Sequence, residues 1–139
     1  MNSTFIDTSF FLALSLKDDA LHQRAVAWQR ALVGKLITSE FVLLEVADDL
    51  SQPHLRKFAA GVFSLVRNDA QITVVPLDHA AFEKGYDLYL ARQDKEWGLT
   101  DCISFQIMRE MGVHDALTHD HHFEQAGFRT LLRQDPPSN

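Results

Sequence analysis

Short strand-type runs alternate with helical patterns along nearly the whole chain, and this alternation limits the fold more than any other feature. Residues 4–6 (TFI), 35–38 (KLIT), 72–76 (ITVVP), 115–119 (DALTH) and 129–132 (RTLL) read as strands. Between them, a brief helix is expected through SFFLALS, followed by one over 19–33 with Leu21, Ala25, Trp28 and Leu32 on one stripe and Gly34 as its stop. SEFVLLEVADDL reads as a helix that is apolar almost all round. Pro53 is expected to start the next helix, which places Leu55, Phe58, Ala59, Val62 and Val66 on one face. Asp78 caps another, carrying Phe82, Tyr86, Tyr89 and Leu90, and TDCISFQIMREMG forms a buried helix closed by Gly112. One or two helical turns over HHFEQAG complete the pattern. A chain of this design folds as βαβ units, giving an α/β three-layer sandwich around a mainly parallel, roughly five-stranded sheet.

In such sheets, ligands bind beyond the carboxyl ends of the strands, where strand order reverses. Four acids fall where that rule directs attention. Asp7 follows strand 4–6 directly, and Asp120 follows strand 115–119 in the same way. Asp101 stands in the first turn of its helix behind Thr100 as the expected N-cap, where the helix dipole favours an ionised carboxylate. Glu45 lies between Leu44 and Val46 in the apolar helix, and an isolated buried carboxylate is costly unless something pairs with it. Each aspartate alone reads first as a cap or turn former. Together they imply convergence on one sheet edge. Two carboxylates about 5 Å apart repel by roughly 3 kcal/mol at an effective dielectric near 20. Protons or a hard divalent cation would relieve such a cluster, and Mg²⁺ or Mn²⁺ suits an all-oxygen site.

Composition narrows the options further. The 139 residues suit a single domain over 1–133, with DPPSN placed in a loose C-terminal tail over 134–139. A formal charge of −6 argues against a broad basic surface that coats nucleic acid, but not against nucleic acid as a substrate in an acidic, metal-holding cleft. One cysteine, Cys102, excludes an internal disulfide and a thiolate zinc cluster, and on an apolar helix it reads as core rather than nucleophile. No apolar run is long enough to span a bilayer, and the first residues lack a basic leader and cleavage site, so a cytoplasmic protein is expected.

FIDTSFFLAL, TSEFVLLEV, LTDCISFQIMRE and ALTHDHHFEQAGFRTLL, taken together and in this order, resemble the motifs of PIN-domain ribonucleases, particularly the VapC-like toxins of bacterial toxin–antitoxin pairs. The resemblance runs from Asp7 nearly to Leu132. It implies an acidic quartet at Asp7, Glu45, Asp101 and Asp120, with Ser9 as the small polar residue supporting the first aspartate. By the same resemblance, Asp7 and Asp101 are direct metal ligands, Asp120 completes a second metal position or holds a water, and Glu45 orients water or metal. The implied activity is Mg²⁺-dependent endonucleolytic cleavage of RNA, with Mn²⁺ as a substitute. A small antitoxin and a homodimeric assembly are the implied partners.

THDHHF adds three histidines that the family pattern does not carry. Zinc takes about four N or S ligands, and His119, His121 and His122 are too crowded to share one ion, so a single histidine at the rim is expected. Trp97 is the aromatic residue best placed for a functional role; Trp28, Tyr86 and Tyr89 read as packing. Arg24, Arg30, Lys95 and Arg109 are candidate phosphate contacts, although on helices such residues are more often solvated faces. Two other functions are open from the residues alone: a catalytically inactive PIN-like RNA-binding protein, and a metal-dependent phosphomonoesterase. The second is weakened because Ser9 stands where such enzymes carry a second aspartate.

Overall fold

The computed structural model describes residues 2–138. Five strands, β1 (Ser3–Ile6), β2 (Lys35–Ser39), β3 (Ile72–Val75), β4 (Asp115–Leu117) and β5 (Arg129–Thr130), form one sheet in the order β3-β2-β1-β4-β5. Every pairing is parallel, as the alternation requires. The helices are α1 (Thr8–Ser15), α2 (His22–Ala31), α3 (Glu40–Asp49), α4 (Arg56–Asn68), α5 (His79–Ala91), α6 (Leu99–Met111) and α7 (His121–Gln125), and a 3₁₀ turn, Leu131–Arg133, follows β5. The chain steps outward from β1 through β2 to β3, then crosses back to β4 and on to β5. The switch point therefore lies between β1 and β4, whose register pairs Phe5 with Ala116 and Ile6 with Leu117. The Asp7 N–H donates to the Leu117 carbonyl at 3.2 Å, so the ladder continues into the residue that opens the site.

β1 reads as buried on both faces, with Thr4, Phe5 and Ile6 all inside, as expected for a central parallel strand. On one flank of the core, Phe105 of α6 makes edge-on contacts with Trp97 and Phe123, with ring centroids 5.0 and 4.9 Å away. Gly112 ends α6 at φ 68°, a left-handed conformation that glycine adopts without a Cβ clash.

Several local expectations change once the elements pack. Pro53 does not begin α4. It sits in a turn, closed by the Leu55 N–H on the Gln52 carbonyl at 2.9 Å, and the helix starts at Arg56. α3 is not buried all round, since Leu44 is 54 % exposed. The aromatic stripe of α5 faces outward: Phe82, Tyr86, Tyr89 and Leu90 are each two-fifths exposed or more, and the two tyrosines stack on each other at 6.2 Å. α5 meets α6 through Gly85 instead, where a Cβ would come within 2.2 Å of Ile103 Cγ1. Close helix approach, rather than the larger apolar residues, chose the buried face. The chain beyond Leu132 lies against α2, where the Trp28 Nε1–H donates to the Gln134 carbonyl at 2.9 Å. Arg24 is committed there as well, to the Leu132 carbonyl and the Asp135 carboxylate, and is not free for phosphate.

Candidate active site

Asp7 occupies the N-cap position of α1 in an extended backbone conformation, yet its side chain makes no capping hydrogen bond to the helix. The carboxylate turns into the switch-point crevice and is 5 % exposed. The Thr118 hydroxyl, just past β4, donates to Asp7 Oδ2 at 2.9 Å. Burial pushes the Asp7 carboxyl from 3.8 up to about 7, with Asp101 and Glu45 adding repulsion, while the nearby Thr8 backbone N–H and the Thr118 hydroxyl pull it partly back.

Asp101 is the third residue of α6, and Gly98, not Thr100, is the N-cap. The Gly98 N–H donates to Asp101 Oδ2 at 3.1 Å, so the carboxylate reaches back over the helix start. Burial raises its protonation point, and Asp120 raises it further. Glu45 projects from α3 and accepts a short hydrogen bond from the Thr8 hydroxyl. Its carboxyl is also raised, first by burial and then by Asp101, Asp49 and Asp120. Asp120 caps α7 by accepting the His122 N–H at 2.9 Å, and its carboxylate repels those of Asp101 and Glu45. The four predicted acids therefore act on one another across the carboxyl edge of β1 and β4.

Ser9 supports Asp7 only at one remove. Its hydroxyl lies 3.2 Å from Thr118 Oγ1 and accepts the His119 N–H at 3.1 Å, so it braces the threonine that holds the aspartate. Thr118 also accepts the Asp120 N–H at 3.0 Å, joining two of the acids through one side chain. Sequence reasoning missed Thr8 and Thr118. The available signal was a hydroxyl directly after Asp7 and another two residues before Asp120, but only the β1–β4 pairing brings them together. Replacing Thr118 with Val keeps the shape and removes the donor. It is expected to raise the Asp7 protonation point and cut turnover roughly 10-fold, near the worth of one hydrogen bond to a charged group. A pH–rate profile that does not move would show that Thr118 only packs.

The histidines depart from expectation. His119 contributes a backbone N–H, whereas two imidazoles, not one, approach Asp120. His122 Nδ1 lies 3.2 Å from Asp120 Oδ1 and 3.3 Å from Asp101 Oδ2, and His121 Nδ1 lies 3.8 Å from Asp120 Oδ1. Trp97, by contrast, is core. It is 4 % exposed, and its Nε1–H is used by Gln125 Oε1 at 3.0 Å. Cys102 is fully buried and its thiol is pushed up by burial, so it is inert. Sequence reasoning also missed Arg133. The 3₁₀ turn after β5 folds it back so that it donates to the His119 carbonyl at 3.2 Å.

Among the described residues, no lysine or arginine pairs with Asp7, Glu45, Asp101 or Asp120. Mutually repelling, partly desolvated carboxylates with no lysine or arginine among them are a donor set that a hard divalent cation satisfies, and the residues present fit one.

Comparison with known proteins agrees with this geometry. A family model described as the PIN domain matches residues 4–129. The 23S rRNA-specific endonuclease VapC20 of Mycobacterium tuberculosis, in strains CDC 1551 and H37Rv, is 30 % identical over 129 residues, covering 89 % of this chain and 94 % of the relative. The crystal structure of Mycobacterium tuberculosis VapC20, described as a sarcin–ricin loop cleaving toxin, superposes with a TM-score of 0.83 at 26 % identity, covering 90 % of this chain and 95 % of that one. FitAcB from Neisseria gonorrhoeae shares the fold alone, with a TM-score of 0.63 at 16 % identity over 91 % of this chain and 95 % of that one. The strands, the switch-point acids and these matches coincide over the same residues, and the chain belongs to the PIN-domain family.

Proposed function

We propose that this protein is a Mg²⁺-dependent endoribonuclease, the toxin of a toxin–antitoxin pair, that hydrolyses RNA phosphodiester bonds. The observation that carries the reading is the coupling of Asp7, Glu45, Asp101 and Asp120 at the β1/β4 switch point, with Asp7 held near neutrality by burial and by its neighbours. PIN-domain nucleases are generally divalent-metal dependent, and here Asp7 and Asp101 would hold the cation, with Asp120 completing a second position. Such a cation would supply charge neutralisation at the phosphate and acidify water.

The remaining roles belong to side chains of this chain. Thr118 fixes the rotamer of Asp7, and the Gly98 N–H fixes Asp101, so neither carboxylate has to reorganise. Thr8 anchors one oxygen of Glu45 and leaves the other to align the attacking water. Arg133, tied to the His119 carbonyl and to the Glu124 carboxylate, braces the segment that carries Asp120. The 23S ribosomal RNA that VapC20 cleaves is the first substrate to test.

A small antitoxin that covers the acidic crevice is part of the same reading, as is a homodimer that buries the exposed face of Phe82, Tyr86, Tyr89 and Leu90. No helix among the described residues is long and apolar enough to cross a membrane, and RNA as substrate favours the cytoplasm. The intact quartet opposes an inactive binding protein, and Ser9, engaged with Thr118 and His119, opposes a phosphomonoesterase.

Purified protein is expected to cut a 23S rRNA fragment in Mg²⁺ or Mn²⁺ and to stop in EDTA, with activity returning on adding back metal. Asp101→Asn should lower the rate roughly 10³-fold, the scale set by losing a metal-holding charge. Full-rate cleavage in EDTA, or by Asp101→Asn, would remove the mechanism.

A further inference from the structure

The histidines after β4 are not required by the all-oxygen chemistry above, and their geometry differs from that of a solvated pair. Donor atoms of Asp120, His121 and His122 all lie within 4.8 Å of one another. Two ligands each about 2.1 Å from one ion sit about 3.0 Å apart at a right angle and about 3.4 Å apart at the tetrahedral angle. His122 Nδ1 is 3.2 Å from Asp120 Oδ1 and 3.3 Å from Asp101 Oδ2, within that range. His121 Nδ1, at 3.8 Å from Asp120 Oδ1, is slightly wide of it, and its side chain is 61 % exposed and free to turn inward. The two rings lie 4.4 Å apart and tilted, so their Nδ1 edges share the carboxylate.

We propose that Asp120, His121 and His122 form a nitrogen-containing position for a borderline divalent cation, Co²⁺, Ni²⁺ or Zn²⁺, beside the all-oxygen position of Asp7 and Asp101. The proposal rests on Asp120 serving as a metal ligand, as in the function above. Imidazole suits these cations, whereas Mg²⁺ prefers oxygen and keeps its waters. Binding requires each Nδ1 lone pair to be free, so the ring proton sits on Nε2. Asp101, which the function above assigns to the all-oxygen position, has its Oδ2 3.3 Å from the same His122 nitrogen. His119 is exposed and does not join the three residues whose donor atoms converge here.

Co²⁺ is the probe. In the Asp7→Asn protein, which weakens the all-oxygen position, calorimetry is expected to retain one Co²⁺ per chain. The proton NMR spectrum of that complex should carry strongly displaced imidazole N–H resonances, the signature of histidine on a paramagnetic ion. Adding His121→Ala and His122→Ala should weaken Co²⁺ by at least about 100-fold, the upper end of what loss of a mere supporting hydrogen bond does. His121→Asn with His122→Gln keeps polar contacts to the carboxylates and should lose Co²⁺ equally. Unchanged Co²⁺ affinity in either double variant, or no displaced imidazole signal, would overturn the assignment. Failure of the wild-type protein to cut RNA while Co²⁺ stays bound would instead remove the nuclease reading and leave this position standing.

Discussion

Asp7→Asn is expected to remove RNA cleavage by roughly 10³-fold or more while raising the thermal midpoint of the metal-free protein at pH 8. The two effects share one cause. The carboxyl is buried and its protonation point lies about three units above the value in an unfolded chain, at about 7 against 3.8. Well below pH 3.8 it is neutral in both states. As the pH rises from 4 to 7, the unfolded chain ionises first, so folded stability falls across that window and levels off above it. At about 1.4 kcal/mol per unit, the ionised carboxylate destabilises the metal-free fold by roughly 2–4 kcal/mol at pH 8. Asparagine keeps the shape and still accepts from the Thr118 hydroxyl, so it removes that cost without opening a cavity. Thermal melts in EDTA from pH 5 to pH 8 should show wild type losing stability and Asp7→Asn staying nearly flat. Adding Mg²⁺ should recover wild type and leave the variant unchanged. A variant destabilised equally at both ends of the range would mean that Asp7 is a structural cap, not a strained ligand.

Gly85→Ala should destabilise the fold by about 2–3 kcal/mol, against the usual sign for a glycine inside a helix. Helix propensity alone would favour alanine by up to about 1 kcal/mol. The tertiary contact outweighs it, because the new Cβ would lie 2.2 Å from Ile103 Cγ1 and 2.9 Å from Ile103 Cα. A side-chain carbon can rotate away, but the backbone atom cannot, so α5 must move off α6. The thermal midpoint should drop by roughly 6–12 °C for a domain of this size. Because α6 carries Asp101, cleavage should fall as well. Gly61 on α4 is the control: nothing lies within 4 Å of a Cβ there, and Gly61→Ala should be neutral or slightly stabilising. Equal effects at the two sites would show that α5 and α6 do not approach as described.

Much of this protein was legible before any coordinates. Local periodicity is a property of neighbouring residues, so the alternation of strands and helices, the parallel sheet and the position of Asp7 and Asp120 at strand ends could all be read from the chain. Asp101 at a helix start and Glu45 in an apolar helix were legible for the same reason. What could not be read were relations between distant segments. Thr8 meeting Glu45, Thr118 holding Asp7, and Arg133 returning to His119 depend on which strands pair and how far each helix leans. The outward turn of Phe82, Tyr86 and Tyr89 has the same origin, since the space opposite Gly85 was worth more to packing than the aromatic stripe. Trp97 looked accessible in a polar loop and is buried because Phe105 on the next helix and Gln125, distant in the chain, supply its two kinds of partner. Sequence by itself determined which residues carry negative charge at strand ends. Only the tertiary structure decided that those charges share one crevice, because the repulsion and desolvation that lift Asp7 exist only once β1, β4, α3 and α6 meet.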